Sequence, residues 1–131
     1  MRPRLATILL LGLTQTAQAQ TIQADAFAAR MAAGQTAAAT AAGDAFAQSV
    51  TPLLQIIDGL CDPPGTVLPP ADLGPLDLVA DITPHGVVTN IEVRPQTATG
   101  TCFAAHLAAH RFAPPPWQGN YPVFIHLTVS N

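Results

Sequence analysis

The chain has 131 residues, with eight acidic against five basic side chains and a formal net charge of −3. Because it carries no lysine and no basic cluster, it lacks the positive surface that nucleic acids and anionic membranes attract. Both are therefore excluded as expected partners.

The first 19 residues have the pattern of a cleavable secretory signal peptide. Arg2 and Arg4 precede an apolar run over residues 5–13, and Ala17-Gln18-Ala19 forms a small-residue cleavage site. The apolar run is shorter than the roughly 20 residues that cross a bilayer, and no later segment is long and apolar enough. We expect a periplasmic protein of 112 residues, with three arginines against eight acidic residues and a net charge of −5.

Residues 20–61 form a predicted helical region. Its first part is rich in alanine, the best helix former, but has few large apolar side chains, so we expect a helical arm that packs weakly. In its second part, Asp44 is a candidate N-cap and large apolar residues follow a helical stripe. Pro52 is expected to break or restart this helix. Residues 62–75 hold five of the thirteen prolines and read as an extended connector.

Residues 76–131 predict a hairpin, a helix and a final strand. Apolar residues alternate before and after the turn Thr83-Pro84-His85-Gly86. A helix follows, capped by Thr99 or Thr101 and ended by three prolines, and residues 121–129 alternate again. The predicted class is α+β: a small antiparallel three-stranded sheet with one packing helix, preceded by the Ala-rich helical arm.

Cys61 and Cys102 are the two cysteines of the chain. A pair of cysteines in a small exported domain usually forms a disulfide, so we expect them to be bonded. The alternative is a metal site, because Cys102, His106 and His110 are spaced four apart and meet on one helix face. A structural zinc site needs four ligands, and an oxidised Cys102 is not a ligand. We therefore expect no metal site, and we expect His106 and His110 to be ordinary surface residues.

The sequence contains no G-x-S-x-G motif, no H-E-x-x-H motif and no phosphate-binding glycine loop, so we expect neither an enzyme nor a cofactor. Asp77 and Asp81 share one face of a strand, which we expect to face solvent. Trp117 follows three prolines and is interpreted as a lid over the core, with an exposed contact as the alternative.

The segments "ITPHGVVTNIEV", "AAHRFAPPPWQGN" and "YPVFIHLTV" together resemble the TonB C-terminal domain family, in particular its AgmX/PglI-type branch, in which a cysteine opens the helix as Cys102 does here. The resemblance covers residues 76–131. It implies a periplasmic α+β domain that binds protein partners through the edge of its sheet, with a component of a TonB-dependent system as a candidate partner. The short proline-rich stretch and the cleavable leader depart from the family's energy transducers.

Two function classes follow from the sequence. The first is a binding or adaptor module associated with envelope transport, using the strand 121–129 as an edge that pairs with a partner segment. Its candidate contact residues are Tyr121, Phe124, His126 and Thr128. The second is a structural envelope protein that forms a homo-oligomer through the Ala-rich helix.

The predicted leader can be tested directly. Because the apolar run is short and Ala-Gln-Ala follows it, the mature chain should begin at Gln20. N-terminal sequencing of the protein from the envelope fraction measures this. Recovery of a chain that still begins at Met1 would rule out cleavage.

Overall fold

The computed structural model describes residues 15–131. In chain order, the elements are α1 (Gln15–Ala38), α2 (Ala41–Cys61), a 3₁₀ turn (Pro70–Asp72), β1 (Gly74–Ile82), β2 (Val88–Arg94), α3 (Ala98–Ala109) and β3 (Tyr121–Val129). Most of the predicted signal peptide, residues 1–14, lies outside the described residues, and the predicted cleavage site after Ala19 lies within α1. Within the described range, none of the helices combines the length and apolar character needed to cross a membrane.

The three strands form one antiparallel sheet in the order β2-β1-β3, so the predicted α+β class is confirmed. The hairpin turn closes as predicted: Gly86 has a φ of 80°, and the Thr83 N–H donates to the Val87 carbonyl at 2.8 Å. β2 contains one extra residue, a bulge at which Asn90 has a φ of 53°.

One face of the sheet, the α3 face, carries most of the core. On β1 it presents Leu76, Leu78, Ala80 and Ile82, each at most 3% exposed. The buried side chains of Phe103 and Leu107 in α3 belong to the same cluster, as does Ile57 of α2. These β1 residues are the alternating apolar set that the sequence predicts. α3 packs on this face because its own apolar side chains are buried against them.

The other face, the α1 face, carries Asp77, Val79 and Asp81 of β1 and is covered in part by α1. Val79 is 0% exposed. The Arg30 side chain of α1 donates to the Asn90 carbonyl at 2.5 Å and lies 3.7 Å from the carboxylates of Asp81 and Glu92. Asp81 therefore does not simply face solvent, contrary to expectation. These pairs are partly solvated, so each contributes at most about 1 kcal/mol.

α1 packs closely against the sheet, contrary to the expectation of a weakly packed arm. Its Phe27 is buried, with the Arg94 guanidinium carbon 5.0 Å from the ring centre, and its Ala37 is 1% exposed. The expectation of weak packing rests on the scarcity of large apolar side chains. Small ones allow close approach instead, and Gly34 lies directly against the backbone of β3.

Three local expectations about the helices are wrong. Thr40 caps α2, accepting a hydrogen bond from the Gly43 N–H at 3.0 Å, so Asp44 lies in the first turn. α2 continues through Pro52, because buried Ile57 and the cross-link at Cys61 hold the second half in place despite the cost of an internal proline.

The cap of α3 also differs from both predicted threonines. Thr97 caps the helix and accepts a hydrogen bond from the Gly100 N–H at 3.0 Å. The Asp72 carboxylate accepts a second hydrogen bond from the Ala98 N–H at 3.3 Å. The 3₁₀ turn thus helps to start α3 earlier than Thr99.

The predicted disulfide between Cys61 and Cys102 is confirmed, with Cα atoms 5.7 Å apart. It joins the end of α2 to the first half of α3. Closing a loop of 41 residues stabilises the fold by about 4 kcal/mol in the chain-entropy account. The bond fixes the N-terminal helices to the sheet domain.

The close approach of α1 to β3 gives a matched pair of substitutions. A Cβ at Gly34 would lie 2.6 Å from both the Cβ and the backbone N of Phe124, whereas a Cβ at Gly59 of α2 would meet no atom within 4 Å. Gly34→Ala should therefore lower the free energy of unfolding by about 1–3 kcal/mol, the usual range for overpacking. Gly59→Ala should leave it unchanged or raise it by up to about 1 kcal/mol.

Urea denaturation of both variants measures these changes. If Gly34→Ala were as stable as Gly59→Ala, α1 would not lie against β3 at this position.

Candidate functional site

β3 is a regular edge strand. It pairs with β1 without interruption from Gly74 opposite Val129 to Ile82 opposite Tyr121. Within residues 15–131, no second strand pairs with it. A nine-residue strand with one open side is a template for another extended chain.

The register determines which backbone groups of β3 point outward. Thr83 donates to Val87, so the backbone groups of alternate β1 residues from Thr83 down to Pro75 point toward β2. Those of Leu76, Leu78 and the other even-numbered residues then point toward β3. The β3 residues opposite them are odd-numbered, and their backbone groups point toward β1. The backbone groups of the even-numbered β3 residues therefore point outward; these residues are Pro122, Phe124, His126 and Thr128.

Both prolines in this pair of strands agree with that pattern. Pro122 lies on the outward set, where the missing N–H removes no ladder bond. Pro75 belongs to the β1 set that points away from β3, beyond the last paired residue of β2. The sheet therefore loses no hydrogen bond to either proline.

α1 covers part of this edge. Gly34 lies against the backbone of Val123 and Phe124, at the point where the Phe124 N–H points outward. Beyond that crossing, His126 and Thr128 are exposed. The open part of the edge is therefore the C-terminal half of β3, and the outward backbone groups there belong to His126 and Thr128.

The four predicted contact residues divide into two pairs. Tyr121 is 4% exposed and packs edge-on against the rings of Phe46 and Trp117, at 5.2 and 5.6 Å. Burial raises the pKa of the Tyr121 hydroxyl. Phe124 is half-buried beside Gly34. Only His126 and Thr128 offer exposed side chains together with outward backbone groups.

Trp117 combines the two predicted roles. Its ring covers Tyr121, as expected of a lid, yet it remains 42% exposed. It lies at the end of β3 where Phe46 of α2 packs against Tyr121.

An exposed pair of side chains lies beside the open edge, on the α1 face. Nδ1 of His126 is 2.7 Å from Oδ1 of Asp77, and the two side chains are 54% and 30% exposed. The alternation in the sequence places Asp77 on the face opposite the apolar set, as the structure shows. It does not reveal that His126 lies opposite Asp77, because the register between strands distant in sequence cannot be read from local sequence. The pair gives the edge a polar group that accepts or donates hydrogen bonds.

The opposite edge of the sheet is less suited to strand addition. β2 has seven residues and contains the bulge at Asn90. Its Glu92 and Arg94 are paired with each other, with the Arg94 Nη2 and Glu92 Oε2 atoms 2.9 Å apart. Bulges and charged side chains are the usual means by which proteins block edge pairing. Of the two edges, β3 is therefore the more open to strand addition.

The structure does not bring Cys102, His106 and His110 together into one cluster. The ring of His110 packs edge-on against Phe112, with centroids 4.8 Å apart. His106 lies instead beside the disulfide, near both Cys61 and Cys102. The spacing in the sequence identified two members of this group, but only the fold adds Cys61.

Comparison with protein-family models, with curated proteins and with solved structures finds no match for this chain.

The outward set can be tested by amide hydrogen exchange. The amides of Ile125 and Leu127 should exchange slowly because they donate to β1, whereas those of His126 and Thr128 should exchange quickly because they face solvent. NMR detection in the uncomplexed protein measures all four. The reverse pattern would contradict this assignment. It would mean that the even-numbered residues of β3 bond to β1 and that the odd-numbered residues point outward.

Proposed function

We propose that this protein is an exported adaptor module of the cell envelope, similar to a TonB C-terminal domain. It binds an extended segment of a protein partner along the C-terminal half of β3. The observation that carries the proposal is the unbroken edge strand whose outward backbone groups at His126 and Thr128 lie beyond the crossing of α1.

Two further features support the cellular setting. The leader pattern predicts export, and the Cys61–Cys102 bond suits an oxidising compartment such as the periplasm. The hairpin, helix and strand follow the order on which the family resemblance rests. A TonB-dependent transport component is therefore the candidate partner class.

Strand addition at this site has a limited energy. His126 and Thr128 each supply one outward N–H and one outward carbonyl, so the partner backbone can form four hydrogen bonds. At about 0.5–1.5 kcal/mol each, they contribute at most about 6 kcal/mol before the cost of ordering the partner. Side-chain contacts must supply the rest, and Asp77 and His126 lie beside the edge to provide them. We therefore expect the partner to bind weakly through this edge alone. Its specificity should depend on the partner side chains that contact Asp77 and His126.

The second function class, self-association through the Ala-rich helix, has less support. The residues of α1 best suited to an interface, Phe27, Gly34 and Ala37, already lie against the chain's own sheet and core. An interface through the remaining alanines would bury little apolar area.

The decisive substitution is Thr128→Pro, with Thr128→Val as its matched control. Proline removes an outward N–H and projects its ring from the edge, whereas valine keeps the N–H and alters only the side chain. We expect Thr128→Pro to retain the wild-type fold by circular dichroism and to lose at least tenfold in affinity for the partner. Thr128→Val should bind within about threefold of wild type.

The partner is first captured from envelope extract with the wild-type protein, and its affinity for each variant is then measured by calorimetry. Equal binding by wild type and Thr128→Pro would exclude this edge. Unfolding of Thr128→Pro would mean that the Thr128 amide belongs to the ladder, and the binding edge would then have to lie on the hairpin.

A further inference from the structure

His106 of α3 lies beside the disulfide that joins α3 to α2. The imidazole nitrogen nearest the bond and the two Sγ atoms of Cys61 and Cys102 all lie within 4.8 Å of one another. The cysteines are half-buried, and His106 is exposed. Two sulfurs and one imidazole therefore converge from two helices at the protein surface.

We propose that the reduced form of this cluster binds one thiophilic metal ion through Cys61, Cys102 and His106. Zn²⁺ is the best fit, because two thiolates and one imidazole form a Cys₂His set with the fourth tetrahedral position open. The exposed side of His106 leaves that position to water.

The ligand distances are compatible with this set. Zinc binds thiolate sulfur at about 2.3 Å and imidazole nitrogen at about 2.0–2.1 Å, which puts neighbouring ligand atoms of a tetrahedron roughly 3.5–4 Å apart. His106 is already within about 1 Å of such a spacing. The sulfurs must move apart once their bond is broken, and rotation of the cysteine side chains can achieve this without moving the helices.

The site depends on the redox state. Reduction by a dithiol transfers two electrons and two protons to the S–S bond, giving two cysteine thiols while the dithiol becomes a disulfide. Zn²⁺ then displaces one proton from each thiol and binds both thiolates. In the oxidised form the sulfurs are neutral and bonded to each other, so the site is closed. The metal would replace the covalent link between α2 and α3 with a coordinate one.

The helices remain positioned for this exchange. Ile57, one turn before Cys61, is 3% exposed, and Phe103, adjacent to Cys102, is 0% exposed. These core contacts hold the two cysteine backbones near each other without the bond. In a folded reduced state, the same contacts would keep the site nearly formed before Zn²⁺ binds.

The test uses the full chain, reduced with a phosphine that does not itself supply thiols, and titrated with Co²⁺ and then Zn²⁺ under anaerobic conditions. The reduced protein should bind one Co²⁺ with thiolate-to-cobalt charge-transfer absorption, and Zn²⁺ should displace it. The oxidised protein should show no such absorption. His106→Gln should weaken Zn²⁺ binding at least tenfold, whereas His110→Gln, at the residue that follows the helix and packed against Phe112, should not change it.

Circular dichroism on the same samples separates folding from binding. If reduction alone loosens the fold, added Zn²⁺ should restore it in wild type and in His110→Gln but not in His106→Gln. The proposal is overturned if the reduced protein binds no Co²⁺, if His106→Gln binds Zn²⁺ as tightly as wild type, or if a loosened reduced chain stays unfolded in excess Zn²⁺.

Discussion

The structure depends on a central strand that is buried on both faces. Leu78 and Val79 are consecutive residues of β1, they point to opposite sides of the sheet, and both are 0% exposed. A three-stranded sheet with one packing helix would leave Val79 in water. The N-terminal helix α1 covers that second face, so it is part of the domain and not an appendage.

The position of α1 determines how much of β3 is free. To reach Asp81 and Glu92 with Arg30 and then join α2 near the core, α1 crosses the edge of the sheet, and it does so at Gly34 against Phe124. The crossing protects one half of β3 from strand addition and leaves the half around His126 and Thr128 open. The same packing that completes the core therefore sets the length and location of the candidate binding edge.

The disulfide and the packing of α2 act together on the other face. Cys61 ends α2 and Cys102 lies in α3, so the bond holds the helices over the α3 face while Ile57 supplies the apolar contact. This redundancy lets α2 continue through Pro52. It also places His106 beside the two sulfurs, which is the arrangement on which the proposed redox-dependent metal site rests.

The sequence predicts the hairpin, the bounds of β3 and the cysteine pair because each rests on a local or compartmental signal. Alternation marks the faces of β1 and β3, and Gly86 marks the turn. The coverage of the second face could not be predicted in the same way. It depends on the close approach of Gly34 to Phe124 of β3, 90 residues later in the chain. A count of large apolar side chains does not detect a contact made by a glycine. The cap at Thr97 could not be predicted locally, because the contact of Asp72 with Ala98 helps to set where α3 begins. The cap at Thr40 is a local hydrogen bond with the Gly43 N–H, and the prediction of Asp44 as the cap overlooked it.

The division of the sheet edges is the central claim, and site-specific photo-crosslinking in the native host tests it most directly. Thr128 and Thr89 are suitable positions because both lie on the α1 face, on opposite edge strands. A photoreactive residue at Thr128 should form an adduct with one envelope protein, and the same residue at Thr89 should form none. Adducts from Thr89 and not from Thr128 would contradict the assignment of β3 as the binding edge.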